Sequence, residues 1–297
     1  MYTYNFTQWL AFFIIYCFLG WVWESCYVSA RKRKWVNRGF MHGPLLPIYG
    51  SGAVIVLLAA LPVRKSVIAV YFAGMIAATL LEYVTGAVME TLFKVRYWDY
   101  SNQRFNLNGH ICLTSSLGWG LFSVAMVYWL HKPFERVVLA IPEAVLSPIV
   151  HVIMMLAAAD FALSFKAAIE LRDVLIKLEQ VKEEIRLHQK RIEVYEAFLA
   201  EEAKQKLQKH EEEFDRVKKE LAFVREELEK LKTDRVRRWE NVKSDQLRLL
   251  RAHPSAISKK YKSAFEEVKN RLDLKNRIEN KLEKIDLKGK FDRSDDE

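Results

Sequence analysis

The stretch "FTQWLAFFIIYCFLGWVWESCYVSA", residues 6–30, contains no Lys or Arg and only one acidic residue, Glu24. A helix that crosses a membrane needs about 20 mostly apolar residues. This stretch therefore predicts a transmembrane helix over about residues 7–30. No positively charged segment precedes it, and it is longer than the apolar core of a signal peptide, so we expect it to stay in the membrane.

Similar apolar stretches follow at about 45–62, 66–89, 110–130 and 139–162. The sequence thus predicts an all-α fold, a polytopic membrane helical bundle with about five transmembrane helices in residues 1–165. The second stretch begins with "GPLLPIYGSG" (43–52), so its first turns are expected to be irregular or re-entrant, which requires cover from other protein segments.

Basic residues indicate the orientation of the bundle. They are concentrated in the first and third loops, as Arg31, Lys32, Arg33, Lys34 and Arg38, and as Lys94, Arg96 and Arg104. Loops rich in Lys and Arg stay in the cytoplasm. We therefore predict a multi-pass protein of the plasma membrane, the inner membrane in a bacterium, with its N-terminus outside and its C-terminal region in the cytoplasm.

The remaining residues have a different pattern. Residues 1–165 contain 12 of the 46 Lys and Arg and 7 of the 37 Asp and Glu, so most charges lie in the tail. An apolar seam recurs there every seven residues, with one eight-residue step, at Leu171, Leu178, Ile185, Ile192, Leu199, Leu207, Phe214, Leu221 and Leu228. Such heptads predict a long cytoplasmic coiled coil over residues 166–252. The interleaved charges of both signs argue against a nucleic acid partner.

An apolar seam must be buried against another surface. We expect a homo-oligomer, most simply a dimer, because the alternative partner within the chain is much shorter than the seam. That alternative is a second amphipathic helix at 256–287, which follows the helix-breaking "HPSA" (253–256). Residues 288–297 are predicted to be a disordered tail.

Carboxylates within predicted spans are costly and are functional candidates for that reason. Glu24 lies near the end of the first span, and Glu82 and Glu90 lie on the third, with Gly86 between them. These three acids are predicted to line a polar cavity that faces the cytoplasm. The alternative is structural, since Glu24 and Glu90 lie near the interface, where they can pair with nearby basic residues.

Two polar segments are candidates for the rim of that cavity. In "GFMHGPLLPIYGSG" (39–52), the unusual backbone path is expected to depend on Gly43, Pro44, Pro47, Gly50 and Gly52, and His42 is a candidate binding residue. In "RYWDYSNQRFNLNGHICL" (96–113), the donors and acceptors include Asp99, Tyr100, Asn106 and His110. Together they predict half of a binding site, or else an ordinary interfacial loop.

Several kinds of chemistry lack a signature in this chain. Cys17, Cys26 and Cys112 do not have the spacing of metal ligands, and we expect neither a metal nor a cofactor. The sequence contains no GxxxxGK[ST], GxSxG, HExxH or GxGxxG motif. We therefore expect that this chain does not hydrolyse nucleotide and that a separate ATPase or cytoplasmic partner would supply any ATP-driven step.

The ordered motifs "GWVWES" (20–25), "HGPLLPIYGSG" (42–52), "LEYVTGAVMET" (81–91), "YWDYSNQRFNLNGHICL" (97–113) and "SLGWG" (116–120) resemble those of the CmpB-like, ABC-transporter type IV family of bacterial membrane proteins. The resemblance covers about residues 5–160. The positions that match its polar motifs are Glu24, Gly43, Pro44, Pro47, Tyr49, Gly50, Gly52, Glu82, Gly86, Glu90, Trp98, Asp99, Tyr100, Asn106 and Gly109. It implies a permease-like role without implying a substrate, and the long tail is not part of the family pattern.

Three functions agree with these observations. The first is a permease-like protein that binds protons, a cation or a cationic substrate at its acidic cavity, assembled through its coiled coil. The second is a membrane-anchored scaffold or sensor whose working part is the tail. The third is an intramembrane enzyme acting on a lipid headgroup, with a Glu or Asp as general base.

Overall fold

The computed structural model describes residues 4–205, 211–242 and 244–273, and these are mostly helical, as predicted. The helices are α1 (Phe6–Lys32), α2 (Pro47–Ala60), α3 (Val67–Phe93), α4 (Leu113–Ala125), α5 (His131–Ala140), α6 (Glu143–Gln205), α7 (Glu211–Glu240), α8 (Ser244–Ala252) and α9 (262–273), and one antiparallel hairpin joins β1 (Asn106–Leu107) to β2 (Ile111–Cys112). The chain forms two compact units. Unit 1 is Met1–Glu170 with a return segment, Asp245–Lys259, and unit 2 is Leu171–Ser244 with Lys260–Glu297.

Four helices in the described residues are long and apolar enough to cross a membrane: Phe6–Lys32, Val67–Phe93, Leu113–Ala140 and the helix that begins at Glu143. At the second predicted span, the apolar helix is shorter than these four: α2 continues through a 3-10 turn and ends at Val63. Residues 131–138, which separate the predicted spans 110–130 and 139–162 and contain Lys132 and Arg136, are helical instead, since a π turn, Met126–Leu130, joins α4 directly to α5. Charged side chains on one face of a helix do not interrupt it, which explains the difference.

The segment 39–52 is less irregular than the sequence suggested. Pro47 occupies the first turn of α2, a position that needs no backbone N–H, and the helix is regular from there. Gly50 and Gly52 therefore do not bend the chain, contrary to the prediction. Gly50 has another purpose: a Cβ at this position would lie 2.4 Å from Cys17 Sγ and 2.6 Å from the Phe13 carbonyl oxygen, so glycine permits α1 and α2 to touch.

The core of unit 1 joins α1, α2, α3 and the α4–α5 helix with the start of α6. Phe12, Leu57 and Val70 are completely buried in it, and Met126 and Val150 are almost so. Tyr4 and Tyr16 contribute hydroxyls that contact the two ring nitrogens of the buried His131, at 3.0 and 2.8 Å. These three polar side chains are thus partnered, as buried polar groups require.

In unit 2, α7 runs antiparallel to α6. Two side-chain contacts show this direction: His188 lies 3.1 Å from Glu227, and Tyr195 lies 3.0 Å from Glu220. The residue number thus rises along α6 while it falls along α7. Val181, Ile185 and Leu228 form one buried cluster between the helices, with Ile192 and Leu231 beside it. Three positions of the predicted seam, Ile185, Ile192 and Leu228, therefore pack between two helices of the same chain.

The second amphipathic stretch also packs inside unit 2. The main-chain N–H of Ala264 in α9 donates to the carboxylate of Glu179 in α6 at 2.9 Å, and Phe265 and Val268 are buried. Among the predictions for the tail, Leu207, the side chain of Phe214, residues 274–287 of the second helix and the tail 288–297 lie outside the described residues. Assembly of copies of the chain, as a dimer or otherwise, stays a prediction.

Candidate functional site

A cavity of about 420 Å³ lies within unit 1, between α1, α2, α3 and α6. Most of its wall is apolar, and α3 contributes the most side chains to it, with Phe161 and Phe165 coming from α6. Its polar wall residues are Glu24, Arg38, Tyr49, Ser51, Glu82, Thr85, Tyr97, Trp98, Tyr100, Trp119 and His253. Pockets of this volume, apolar with a few converging polar groups, are typical of small-molecule sites.

Glu82 is the most deeply placed acid in the cavity wall. The residue is 8% exposed. Its carboxylate accepts a hydrogen bond from the Tyr100 hydroxyl at 3.1 Å and one from Trp119 Nε1 at 2.9 Å. Among the described residues no Lys or Arg forms an ion pair with it. Two neutral donors thus hold a carboxylate in an apolar wall, where an unpaired negative charge is costly.

Glu24 lies at a more charged part of the wall. Tyr49 donates its hydroxyl to Glu24 Oε1 at 2.7 Å, and Arg38 Nε lies 3.4 Å from Oε2. Arg38 is largely buried, and its Nε makes no hydrogen bond among the described residues, although its Nη1 donates to the Ala252 carbonyl at 2.8 Å. The guanidinium therefore compensates Glu24 electrostatically, whereas no Lys or Arg in the described part of the chain does so for Glu82.

Glu90 does not line the cavity, in contrast to the prediction. It forms ion pairs with Arg96 Nε at 2.7 Å and with His110 Nε2 at 3.2 Å. Eight residues exceed two helical turns, so Glu90 lies roughly 80° around α3 from Glu82. That rotation turns Glu90 away from the cavity and toward the loop after α3.

This loop, 94–112, is organised around Arg96, whose Nη1 contacts Asp99 at 3.2 Å and the Asn108 carbonyl at 2.7 Å. Burial raises the pKa of Asp99, but hydrogen bonds from Ser101 and the charge of Arg96 outweigh it, and the pKa falls below its usual value. Burial, with the nearby Arg96 charge, lowers the pKa of His110. These residues shape the loop rather than the cavity.

Asn106 and Tyr100 have different roles in the same loop. Asn106 donates to the Gln103 carbonyl at 2.8 Å and accepts from the Gly109 N–H at 3.1 Å, so its amide closes the turn. Tyr100 alone reaches Glu82. Burial and the Glu82 charge raise the pKa of the Tyr100 hydroxyl, which therefore remains a donor.

His42 also lies outside the cavity. Its Nδ1 is 2.8 Å from Asp160 Oδ1, and its Nε2 is 3.7 Å from Asp245. The Asp160 carboxylate also accepts the main-chain N–H groups of His42 and Gly43, at 3.0 and 2.7 Å. Asp160, which is not among the predicted site residues, thus fixes the turn before α2.

The polar wall residues that were absent from the predicted site include Arg38, Tyr97, Trp119 and His253. Arg38 belongs to a basic loop and Trp119 to an apolar helix, where such residues are commonplace. His253 lies in the return segment, about 90 residues beyond the last predicted span. No local pattern in the sequence connects these positions, because they meet only after folding.

Comparison with known proteins identifies the membrane part of the chain. A family model described as "Putative ABC-transporter type IV" matches residues 11–165, more than half of the chain. No curated protein and no solved structure matches it. The matched region contains every wall residue of the cavity except His253. The chain is a membrane protein, and it belongs to the ABC-transporter type IV (CmpB-like) family.

Proposed function

We propose that this protein is a permease-like integral membrane protein whose cavity binds an amphipathic organic cation. The observation that carries the proposal is Glu82, a buried carboxylate held by neutral donors and facing an apolar cavity. A bound cation would supply the missing opposite charge. The cavity's volume of about 420 Å³ limits such a ligand to a small organic molecule.

The aromatic residues of the wall support this ligand class. Tyr97, Trp98, Tyr100 and Trp119 all line the cavity near the carboxylates. Electron-rich ring faces attract organic cations, by about 0.5–2 kcal/mol each. An organic cation with an apolar body would also match the apolar side chains of α3, whereas a small hydrated metal ion would leave them uncovered.

The proposed route opens toward the cytoplasmic side. The loops nearest the cavity, 31–38 and 94–104, are the basic ones, which places them in the cytoplasm under the positive-inside rule. Lining residues Val88 and Leu92 of α3 and Phe161 of α6 are also partly exposed. We propose that a ligand from the inner leaflet enters the cavity beside these side chains.

A scaffold role is the second candidate, because unit 2 lies outside the matched family region and leaves apolar side chains exposed. Leu187, Val194 and Phe223 are each about half exposed or more on α6 and α7. Removal of residues 171–244 tests it: a scaffold loses its cellular effect, whereas a permease retains ligand binding. We do not propose the lipid-headgroup enzyme, because Asp99 and Asn106 are engaged in hydrogen bonds of their own loop.

The test of the proposed function is ligand binding by the full chain in lipid nanodiscs. Ethidium serves as the cationic probe, and an uncharged aromatic dye of similar size measures apolar binding. Glu82→Gln removes the charge while keeping an acceptor, and the matched control is Glu143→Gln at an exposed position.

We expect Glu82→Gln to weaken ethidium binding tenfold or more, equivalent to about 1.4 kcal/mol. Glu143→Gln should leave it unchanged, and the neutral dye should bind all three proteins alike. Equal ethidium affinity in the wild type and Glu82→Gln would overturn the proposal. A cation gradient that fails to form in proteoliposomes, despite binding, would restrict the protein to a binding role.

A further inference from the structure

The return segment, Asp245–Lys259, is fastened to the membrane part of unit 1 at both of its ends. Near its start, Arg248 donates to the carbonyl oxygens of Met41 and Phe40, at 2.9 and 3.0 Å. Near its end, Ile257 and Arg96 exchange two main-chain hydrogen bonds of 2.7 and 3.0 Å. Main-chain partners on both sides give the segment one defined position.

The middle of the segment is buried. Leu249 packs with Phe40, Phe93 and Tyr97, and it is 1% exposed. His253 lines the cavity, with its ring edge-to-face against Tyr97 at a centroid distance of 4.7 Å. Burial, reinforced by the neighbouring Arg38 charge, lowers the pKa of His253 to about 3, so the ring is neutral at physiological pH.

The same segment holds the cation that faces Glu24. The Ala252 carbonyl, at the C-terminal end of α8, accepts from Arg38 Nη1 at 2.8 Å, and Arg38 Nε then lies 3.4 Å from Glu24. Carbonyls at a helix C-terminus carry partial negative charge and attract cations. With Arg38 in this position, the charged wall residues are two carboxylates and one guanidinium, a net charge of −1.

We propose that the return segment is part of the ligand site and that its Ala252 carbonyl positions Arg38, so that the cavity prefers singly charged over doubly charged organic cations. The proposal rests on the proposed function and adds a specificity determinant to it. The family match ends at residue 165, so this determinant comes from the chain's own C-terminal region. Loss of the Arg38 charge would leave Glu24 and Glu82 both uncompensated, which favours a dication.

Two dyes that share a phenanthridinium ring test this preference. Ethidium carries one positive charge, and propidium carries an additional quaternary ammonium group. The measured quantity is the ratio of their dissociation constants for the full chain in nanodiscs. Arg38→Gln removes the charge but keeps a donor for Ala252, and Arg38→Lys restores the charge.

We expect Arg38→Gln to shift the ratio at least fivefold toward propidium, and Arg38→Lys to return it toward the wild-type value. Arg248→Gln, which loosens the segment, should shift the ratio in the same direction. Arg251→Gln is the matched control, because Arg251 lies on the same helix but is exposed. Hydrogen exchange over residues 245–259 should rise in Arg248→Gln and stay constant in Arg251→Gln.

Three results would overturn the inference. The first is an unchanged ratio in Arg38→Gln, and the second is an unchanged ratio in Arg248→Gln despite faster exchange of the segment. The third is unchanged exchange in Arg248→Gln, which would remove the fastening role of Arg248. If the wild type binds neither dye, or if Glu82→Gln binds ethidium as tightly as the wild type, the proposed function fails and this inference fails with it. If Glu82→Gln weakens ethidium binding as expected but Arg38→Gln leaves the ratio unchanged, only this inference is refuted.

Discussion

Replacement of Gly50 by alanine tests how closely α1 and α2 pack. The added Cβ would lie 2.4 Å from Cys17 Sγ and 2.6 Å from the Phe13 carbonyl oxygen, whereas ordinary contacts are 3.4–4 Å. About 1 Å of separation is therefore needed. Because the Phe13 oxygen belongs to the backbone, rotation of a side chain cannot supply it, and the two helices must move apart.

The expected cost follows from this geometry. Overpacking in a close-packed core costs about 1–3 kcal/mol. Alanine recovers roughly 0.5–1 kcal/mol through its higher helix propensity, so we expect a net destabilisation of about 1–2 kcal/mol. Thermal unfolding of the purified protein, followed by tryptophan fluorescence, should show a Tm lower by several degrees.

Gly118→Ala is the matched control, because a Cβ there meets nothing within 4 Å. Its Tm should equal or exceed that of the wild type, since only the helix propensity changes. The double variant Cys17→Ala, Gly50→Ala should recover part of the loss and no more, because the Phe13 oxygen stays in place. A Tm for Gly50→Ala at or above the wild-type value would refute the packing argument.

Three further measurements concern the loop, the return segment and unit 2. Arg96→Met removes the cation that Glu90 and Asp99 share, so it should destabilise loop 94–112 by about 3 kcal/mol. Unchanged hydrogen exchange in this loop would contradict that expectation. The pKa of His253 is lower in the folded than in the unfolded protein, so the stability that its neutral form supports is complete above pH 6.5 and is lost as the pH falls toward 3. Hydrogen exchange of the return segment should therefore rise as the pH falls over that range, and His253→Phe should reduce this rise. Leu228→Ala should lower the stability of unit 2 by about 2–4 kcal/mol, whereas Leu187→Ala, at a half-exposed position, should lower it by under about 1 kcal/mol. Thermal unfolding followed by circular dichroism measures both, and equal losses would argue against the packing of α7 on α6.

The membrane part of the fold could be predicted from the sequence because long apolar stretches have few alternatives in a bilayer. The limits appear where two signals compete. Residues 131–138 separate two predicted spans, but Lys132 and Arg136 lie on one side of a helix that continues from α4. In residues 47–52, glycines and a proline suggested irregular backbone, but Pro47 begins a helix and Gly50 provides close packing.

The site could be predicted only in part, for reasons of helical phase and chain topology. Intramembrane acids are conspicuous in a sequence, which is why Glu24 and Glu82 were candidates, and both line the cavity. Glu90 lies on α3 together with Glu82, but it is eight residues further along, so it points around the helix toward Arg96 instead of into the cavity. His253 could not be identified, because nothing in its local sequence indicates that the chain returns to the membrane part.

The heptad seam shows what periodicity leaves undetermined. A repeat of apolar residues specifies that a helix buries one stripe, but the stripe is the same whether its partner is a second copy or a later part of the same chain. The eight-residue step between Leu199 and Leu207 falls near the end of α6, before α7 begins at Glu211 and runs back along it. A change in register of this kind therefore has two readings, a local unwinding of one long helix or the division between two helices. The pairs His188–Glu227 and Tyr195–Glu220 favour the second, because residue numbers that rise along α6 and fall along α7 are the pattern of two antiparallel helices in contact.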